Sequence, residues 1–169
     1  MGRAREQGFT LIEVMVVVAL IAILAAVVIP SFFKQGRKVK ADSEVAPTFA
    51  EMAIREEQWK IDNGSYRAIA ECPTVTSPAG VAATTCTGAG SDWLTMRIAP
   101  PETTVRCKYQ TWTGTGTGTN NPGGFTWASP STNWYYIIAT CDMDGSATTN
   151  ATFFTSSTDT KIQKLNEGN

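Results

Sequence analysis

The sequence predicts an α+β fold in which the second half of one long N-terminal helix packs on an antiparallel sheet of about three to four strands. Three observations lead there. From Phe9 to Phe33 the only ionisable side chain is Glu13, and an apolar run of that length makes a helix of about 30 Å, enough to cross the core of a bilayer. Helical periodicity continues beyond the run, with Val39, Ala46, Phe49, Ala53 and Trp59 near one face and Lys40, Glu44, Glu51, Arg55 and Glu57 largely on the other. The C-terminal half then changes period. Thr103 to Trp112 alternates Val105, Cys107 and Tyr109 against Thr104, Arg106 and Lys108, and Trp134 to Cys141 and Ala151 to Ser156 read as further strands.

Composition narrows the chemistry. The 169 residues leave room for the apolar segment and one domain. A net charge of −1 gives no global attraction to nucleic acid. The chain has no histidine, which removes histidine triads, general bases and metal ligands together. Its four cysteines, Cys72, Cys86, Cys107 and Cys141, contain no CxxC pair, and their even number in a Thr-, Gly- and Ser-rich chain points to two disulfides in an oxidising compartment.

Residues 1–8 are short and polar, with Arg3, Arg5 and Glu6, and resemble the charged start of an export signal. Leu20 to Ala26 would suit cleavage of an ordinary signal peptide, but apolar character continues through Val27, Val28, Ile29, Phe32 and Phe33. A carboxylate carried charged into hydrocarbon costs about 2.5 to 3.5 kcal/mol, which marks Glu13 as functional by default. Its other reading is an interfacial residue favoured by the positive end of the helix dipole.

The run Gly8-Phe9-Thr10-Leu11-Ile12-Glu13, continued to Pro30-Ser31-Phe32, resembles the N-terminus of type IV pilins and the related pseudopilins of type II secretion. The resemblance implies the pilin fold, cleavage by a prepilin peptidase between Gly8 and Phe9, and N-methylation of Phe9. Glycine suits the scissile position because it leaves the backbone open to close approach. The resemblance also makes Glu13 an assembly residue, paired with the N-terminal ammonium of a neighbouring subunit. A pairing with the Phe9 amine of its own chain, one helical turn away, is equally open. The implied parts are a leader at 1–8, a membrane and assembly helix at 9–33, an amphipathic helix half at 34–62 and a head at 63–169. Implied partners are further copies of the subunit, the peptidase, the pilus assembly machinery and the inner membrane.

Pro30 removes one helical hydrogen bond, so a kink or an unwound turn is expected near Leu24 to Pro30; Pro47 should bend the helix or begin a second piece. Lys34, Arg37, Lys38 and Lys40 then outnumber Arg3 and Arg5, and by the positive-inside rule this favours a cytoplasmic C-terminus. The leader resemblance and the cysteines favour the opposite orientation, with the N-terminus cytoplasmic and the head periplasmic, then extracellular in a filament. The basic cluster itself suits lipid headgroups, or acidic residues of neighbouring subunits such as Asp42, Glu44 or Glu51.

Asn63-Gly64 supplies a helix stop, and Asp62 to Tyr66 resembles the turn that closes the long helix in many pilins and pseudopilins. Glu71 to Asp92 reads as a loop clipped by a Cys72–Cys86 bridge, a closure worth roughly 3 kcal/mol in the chain-entropy view. If Tyr135, Ile137, Ala139 and Cys141 face inward, Cys141 can meet Cys107 across the sheet, the pairing preferred here among three connectivities. Lys161 to Leu165 is a candidate edge strand. Gln110 to Gly124 reads as a mobile, solvent-facing hairpin loop, and its glycines lack the spacing of a phosphate motif.

Asp142-Met143-Asp144-Gly145 has its glycine too early for an EF-hand and reads as a turn, with a weak calcium site at Asp142 and Asp144 as the alternative. No other cofactor is expected. A nucleic-acid role would stack bases on Trp112, Trp127 and Trp134 beside Arg106 and Lys108; packing is the preferred role for these aromatics. The resemblance therefore implies a non-enzymatic subunit of a type IV pilus serving motility, adhesion or DNA uptake, with a type II secretion pseudopilin as the alternative.

Overall fold

The computed structural model describes residues 9–146 and 149–167. The chain divides into two units, with the boundary between Gln35 and Gly36. One helix, α1 (Leu11–Asn63), contributes to both. It is helical without interruption through Pro30 and Pro47, so of the two alternatives expected at each proline, the unwound turn before Pro30 and the second helical piece at Pro47 are not formed. Around Pro47 the reason is packing: Glu44, Val45, Thr48, Phe49 and Met52 are buried on either side of it, and tertiary burial offsets the roughly 3 kcal/mol that an interior proline costs. The helix ends where Gly64 takes φ 78° and its N–H bonds the Lys60 carbonyl at 2.8 Å, the left-handed stop that glycine accepts without strain.

After α1 come β1 (Ile69–Cys72), β2 (Val81–Ala82), a short helix α2 (Asp92–Met96), β3 (Thr104–Val105) and β4 (Cys107–Thr115). They are followed by β5 (Gly118–Asn120), β6 (Trp127–Ser129), β7 (Asn133–Cys141), β8 (Ala151–Ser156) and β9 (Gln163–Leu165). The main sheet has five strands in the order β1-β4-β7-β8-β9, every neighbour antiparallel. The sheet exceeds the expected three to four strands because β1, half of which falls in the stretch expected to be a loop from Glu71, forms one edge. Two small ladders, β2-β3 and β5-β6, flank the sheet.

Alternation sorts the two faces of the sheet. Cys107, Tyr109 and Thr111 of β4, Tyr135, Ile137, Ala139 and Cys141 of β7 and Phe153 of β8 are buried and, with Ala41, Val45, Phe49 and Met52 of α1, form the main core. The opposite face carries Tyr136 and Phe154, packed with Phe125 and Trp127 from the β5–β6 region and with Trp134 and Ile138. Ser91 caps α2, accepting the Leu94 N–H at 3.1 Å, and α2 places Trp93 and Met96 in the core. Two disulfides lock this arrangement. Cys72 is joined to Cys86, and Cys107 to Cys141, which stand directly opposite in the β4–β7 ladder.

Two local expectations change. The Thr-Gly repeat is not one open loop: β4 runs through Gly114 to Thr115, and Gly118 to Asn120 pairs with Trp127 to Ser129. Gly114 is required there because the Trp134 ring lies over it; a Cβ at 114 would stand 2.5 Å from Trp134 Cζ2. On α1, Val39 is exposed rather than on the sheet-facing side, as are Ile54 and Ile61. The buried face instead includes Glu44 and Glu56.

Candidate assembly segment

The apolar part of α1 begins at a cap. Thr10 Oγ1 accepts the Glu13 backbone N–H at 3.3 Å, and the Thr10 carbonyl accepts the Val14 N–H at the same distance. Thr10 and Glu13 thus hold the threonine and glutamate positions of a capping box. The T-x-x-E spacing of Thr10 and Glu13 is the sequence signal of this cap, a role for Glu13 beyond the dipole and the assembly contact. Glu13 also lies in the first helical turn, where a carboxylate is favoured by the exposed N–H groups.

Every large apolar side chain from Phe9 to Phe33 is at least 46% exposed within the chain, and Phe9 and Phe32 reach 80% and 77%. This is the one helix, among the described residues, long and apolar enough to cross a membrane. Such a surface has no place in water: at about 25 cal/mol per Å² of apolar area, burying it in lipid or against other helices is the dominant energetic demand of this unit. Glu13 is the only charge on it. Gly8 and the remainder of the 1–8 leader, with the proposed cleavage point, lie outside the described residues. Around Pro30, the Ser31 hydroxyl donates to the Val28 carbonyl at 2.8 Å.

The head accounts for most of the remaining candidate residues internally. Of the acids considered as partners for a basic cluster, Glu44 is 2% exposed. Its carboxylate accepts the Arg106 N–H at 2.9 Å, the Cys107 N–H at 3.0 Å and the Tyr109 hydroxyl at 3.1 Å, with the Arg106 guanidinium 3.5 Å away. Asp42 pairs with Lys164 at 2.8 Å, and Glu51 with Arg55 at 2.8 Å. Within the basic cluster, Lys38 pairs with Glu167.

The aromatic and basic residues weighed for nucleic acid are likewise engaged. Trp127 and Trp134 pack edge to face at 5.2 Å, and Lys108 is held by Glu71 at 3.0 Å. Only Trp112 of the three tryptophans is substantially exposed, at 49%. Asp142 accepts the Gly145 N–H at 2.6 Å and Asp144 the Ser146 N–H at 2.9 Å, so each carboxylate closes the turn with one oxygen. Among the described residues no cluster of three or more potential metal ligands occurs.

Residues 3–29 match the family described as the prokaryotic N-terminal methylation motif. The chain carries that motif. The type IV wide pilus major component PilA4 of Thermus thermophilus is 43% identical over 61 residues, covering 36% of this chain and 45% of that protein. The type II secretion system core protein G of Aeromonas hydrophila is 39% identical over 67 residues, covering 39% and 46%. The protein of the same description from Vibrio cholerae is 43% identical over 68 residues, covering 39% and 45%. The chain spans a little under half the length of these relatives. No solved structure matches it. The methylation motif falls on the exposed apolar helix and the polar residues before it, so the similarity and the physical demand for burial meet in the same segment.

Proposed function

We propose that this chain is a structural subunit of a type IV pilus, released from its leader by a prepilin peptidase between Gly8 and Phe9 and N-methylated on Phe9. It polymerises through residues 9–33. The observation that carries this reading is the exposed, apolar, singly charged helix within the methylation motif: in the bilayer lipid covers it, and in a filament the same segments of other copies do. Glu13 is the one group on that surface that demands a counter-charge, and the methylated ammonium at Phe9 of a neighbour supplies it, which sets register. Before assembly the N-terminus is cytoplasmic and the head periplasmic, where both disulfides form and persist. The chain is a substrate of processing chemistry rather than a catalyst.

Mass spectrometry of sheared surface filaments tests this. A chain beginning at methylated Phe9 as a main component supports it; its absence from filaments overturns it. Glu13→Ala is expected to leave cleavage at Gly8 intact and abolish filaments, and normal filaments from that variant remove the role given to Glu13.

The second reading is a type II secretion pseudopilin, favoured by the similarity to core protein G at identities close to that with PilA4. Deleting the gene separates the two. Loss of surface filaments with secretion unchanged supports the pilus, and the converse supports the pseudopilus.

A further inference from the structure

The joint between α1 and the sheet contains a buried acid without a counter-charge of its own. Glu56 is fully buried. Its Oε2 accepts the backbone N–H of Arg67 at 3.0 Å, while Oε1 has no partner among the described residues. A carboxylate with one hydrogen bond and no ion pair, removed from water, is driven to hold a proton. In keeping with this, burial raises the Glu56 carboxyl to about 7, offset in part by the Arg67 N–H.

The neighbouring cation is already engaged elsewhere. The Arg67 guanidinium donates through Nη2 to Asp92 Oδ1 at 2.9 Å and lies 5.0 Å from the Trp59 ring, yet its Nε is buried without an acceptor. Asp92 in turn accepts the Ala70 N–H of β1 at 2.9 Å with its other oxygen. The remaining titratable groups facing Glu56 are Glu57 on α1 and Tyr135 on β7, neither of them a cation. Lys60, one turn further along α1, donates instead to the Tyr66 hydroxyl at 2.9 Å.

We propose that Glu56, Arg67 and Asp92 form a proton-operated joint between α1, β1 and α2, in which loss of the Glu56 proton to solvent draws the Arg67 guanidinium from Asp92 toward Glu56. Two acids compete for one arginine, and the protonation of the buried one decides the winner. With Glu56 protonated, Arg67 braces Asp92 at the start of α2. With Glu56 ionised, the two orphaned atoms, Glu56 Oε1 and Arg67 Nε, become partners, and Asp92 keeps only the Ala70 N–H.

The absence of histidine makes the test clean, because no imidazole titrates near neutrality and the terminal amine titrates higher, at about 8. In the ¹⁵N-labelled full chain in detergent micelles, the Arg67 Nε and Ala70 amide resonances are followed from about pH 5 to about pH 8.5. Both are expected to shift together with a midpoint near 7, and Glu56→Gln is expected to flatten both. Asp92→Asn, which removes the competitor, is expected to lower the midpoint by about one pH unit or more. A flat Arg67 Nε in the wild-type chain overturns the proposal without any variant. So does a response that survives Glu56→Gln, or a midpoint unmoved by Asp92→Asn.

Discussion

Glu44 is where the helix and the sheet are joined by polarity rather than by oil, and its removal gives the sharpest test of the fold. Glu44→Ala leaves three donors without that acceptor, the half-buried N–H of Arg106 and the buried Cys107 N–H and Tyr109 hydroxyl. Each orphaned donor costs about 1 to 3 kcal/mol. Allowing for partial relaxation, the expected loss is about 4 kcal/mol, a large share of the roughly 5 to 15 kcal/mol that holds a domain together. Glu44→Gln retains one acceptor oxygen but turns an NH₂ group toward the same donors, so about half the loss is expected. Tyr109→Phe removes only the phenolic donor and should cost about 1 kcal/mol. Urea unfolding of residues 36–169, followed by tryptophan fluorescence, measures all three. A Glu44→Ala variant within about 1 kcal/mol of wild type would refute the view that this carboxylate fixes α1 on the sheet.

Three further outcomes are expected. Because the folded state raises the Glu56 carboxyl from 4.5 to about 7, it holds a proton there that the unfolded chain has released. That stability is full below the lower value and is lost as pH rises through the upper one, about 3 kcal/mol in all; Glu56→Gln should flatten the profile in denaturant titrations across that window. Asp92, lowered by the Ala70 N–H and Arg67, acts in the opposite sense and only on acidification. Gly114→Ala should cost about 1 to 3 kcal/mol in thermal melts by driving a methyl into the Trp134 ring, and an unchanged melt would mean that the ring moves freely. A chelator should leave the melting temperature unchanged, since Asp142 and Asp144 each close a turn; a clear drop would restore a calcium site there.

The helix, the central strands and the edge strand β9 were legible because each rests on periodicity, and periodicity survives in one dimension. The buried acids were not. Glu44 reads as solvent-facing by residue type and Glu56 carries no signal of its own, and only the register of β4 and the path of residues 64–67 explain why those helix positions face inward toward backbone N–H groups. Strand β1 was hidden by its length and by the loop composition that follows it. The Thr-Gly repeat misled in another way. Glycine weakens a strand on average, but at 114 the missing side chain is what admits the Trp134 ring. At the assembly segment, apolar length and a single acid were plain in the sequence, whereas the cap that Thr10 provides needed the spacing to Glu13 to be read as a helix start.

The Cys107–Cys141 bridge sits one peptide from the helix anchor, because the Cys107 N–H is itself a donor to Glu44. This places the two features in series as a load path. Tension along the sheet-bound half of α1 passes through Glu44 into the first residues of β4, and from there through a covalent bond into β7 at the centre of the sheet. Strand β4 cannot be peeled from β7 at that end without breaking a sulfur–sulfur bond. The non-covalent links on that path are the hydrogen bonds at Glu44 and the packing of Val45, Phe49 and Met52 beside them.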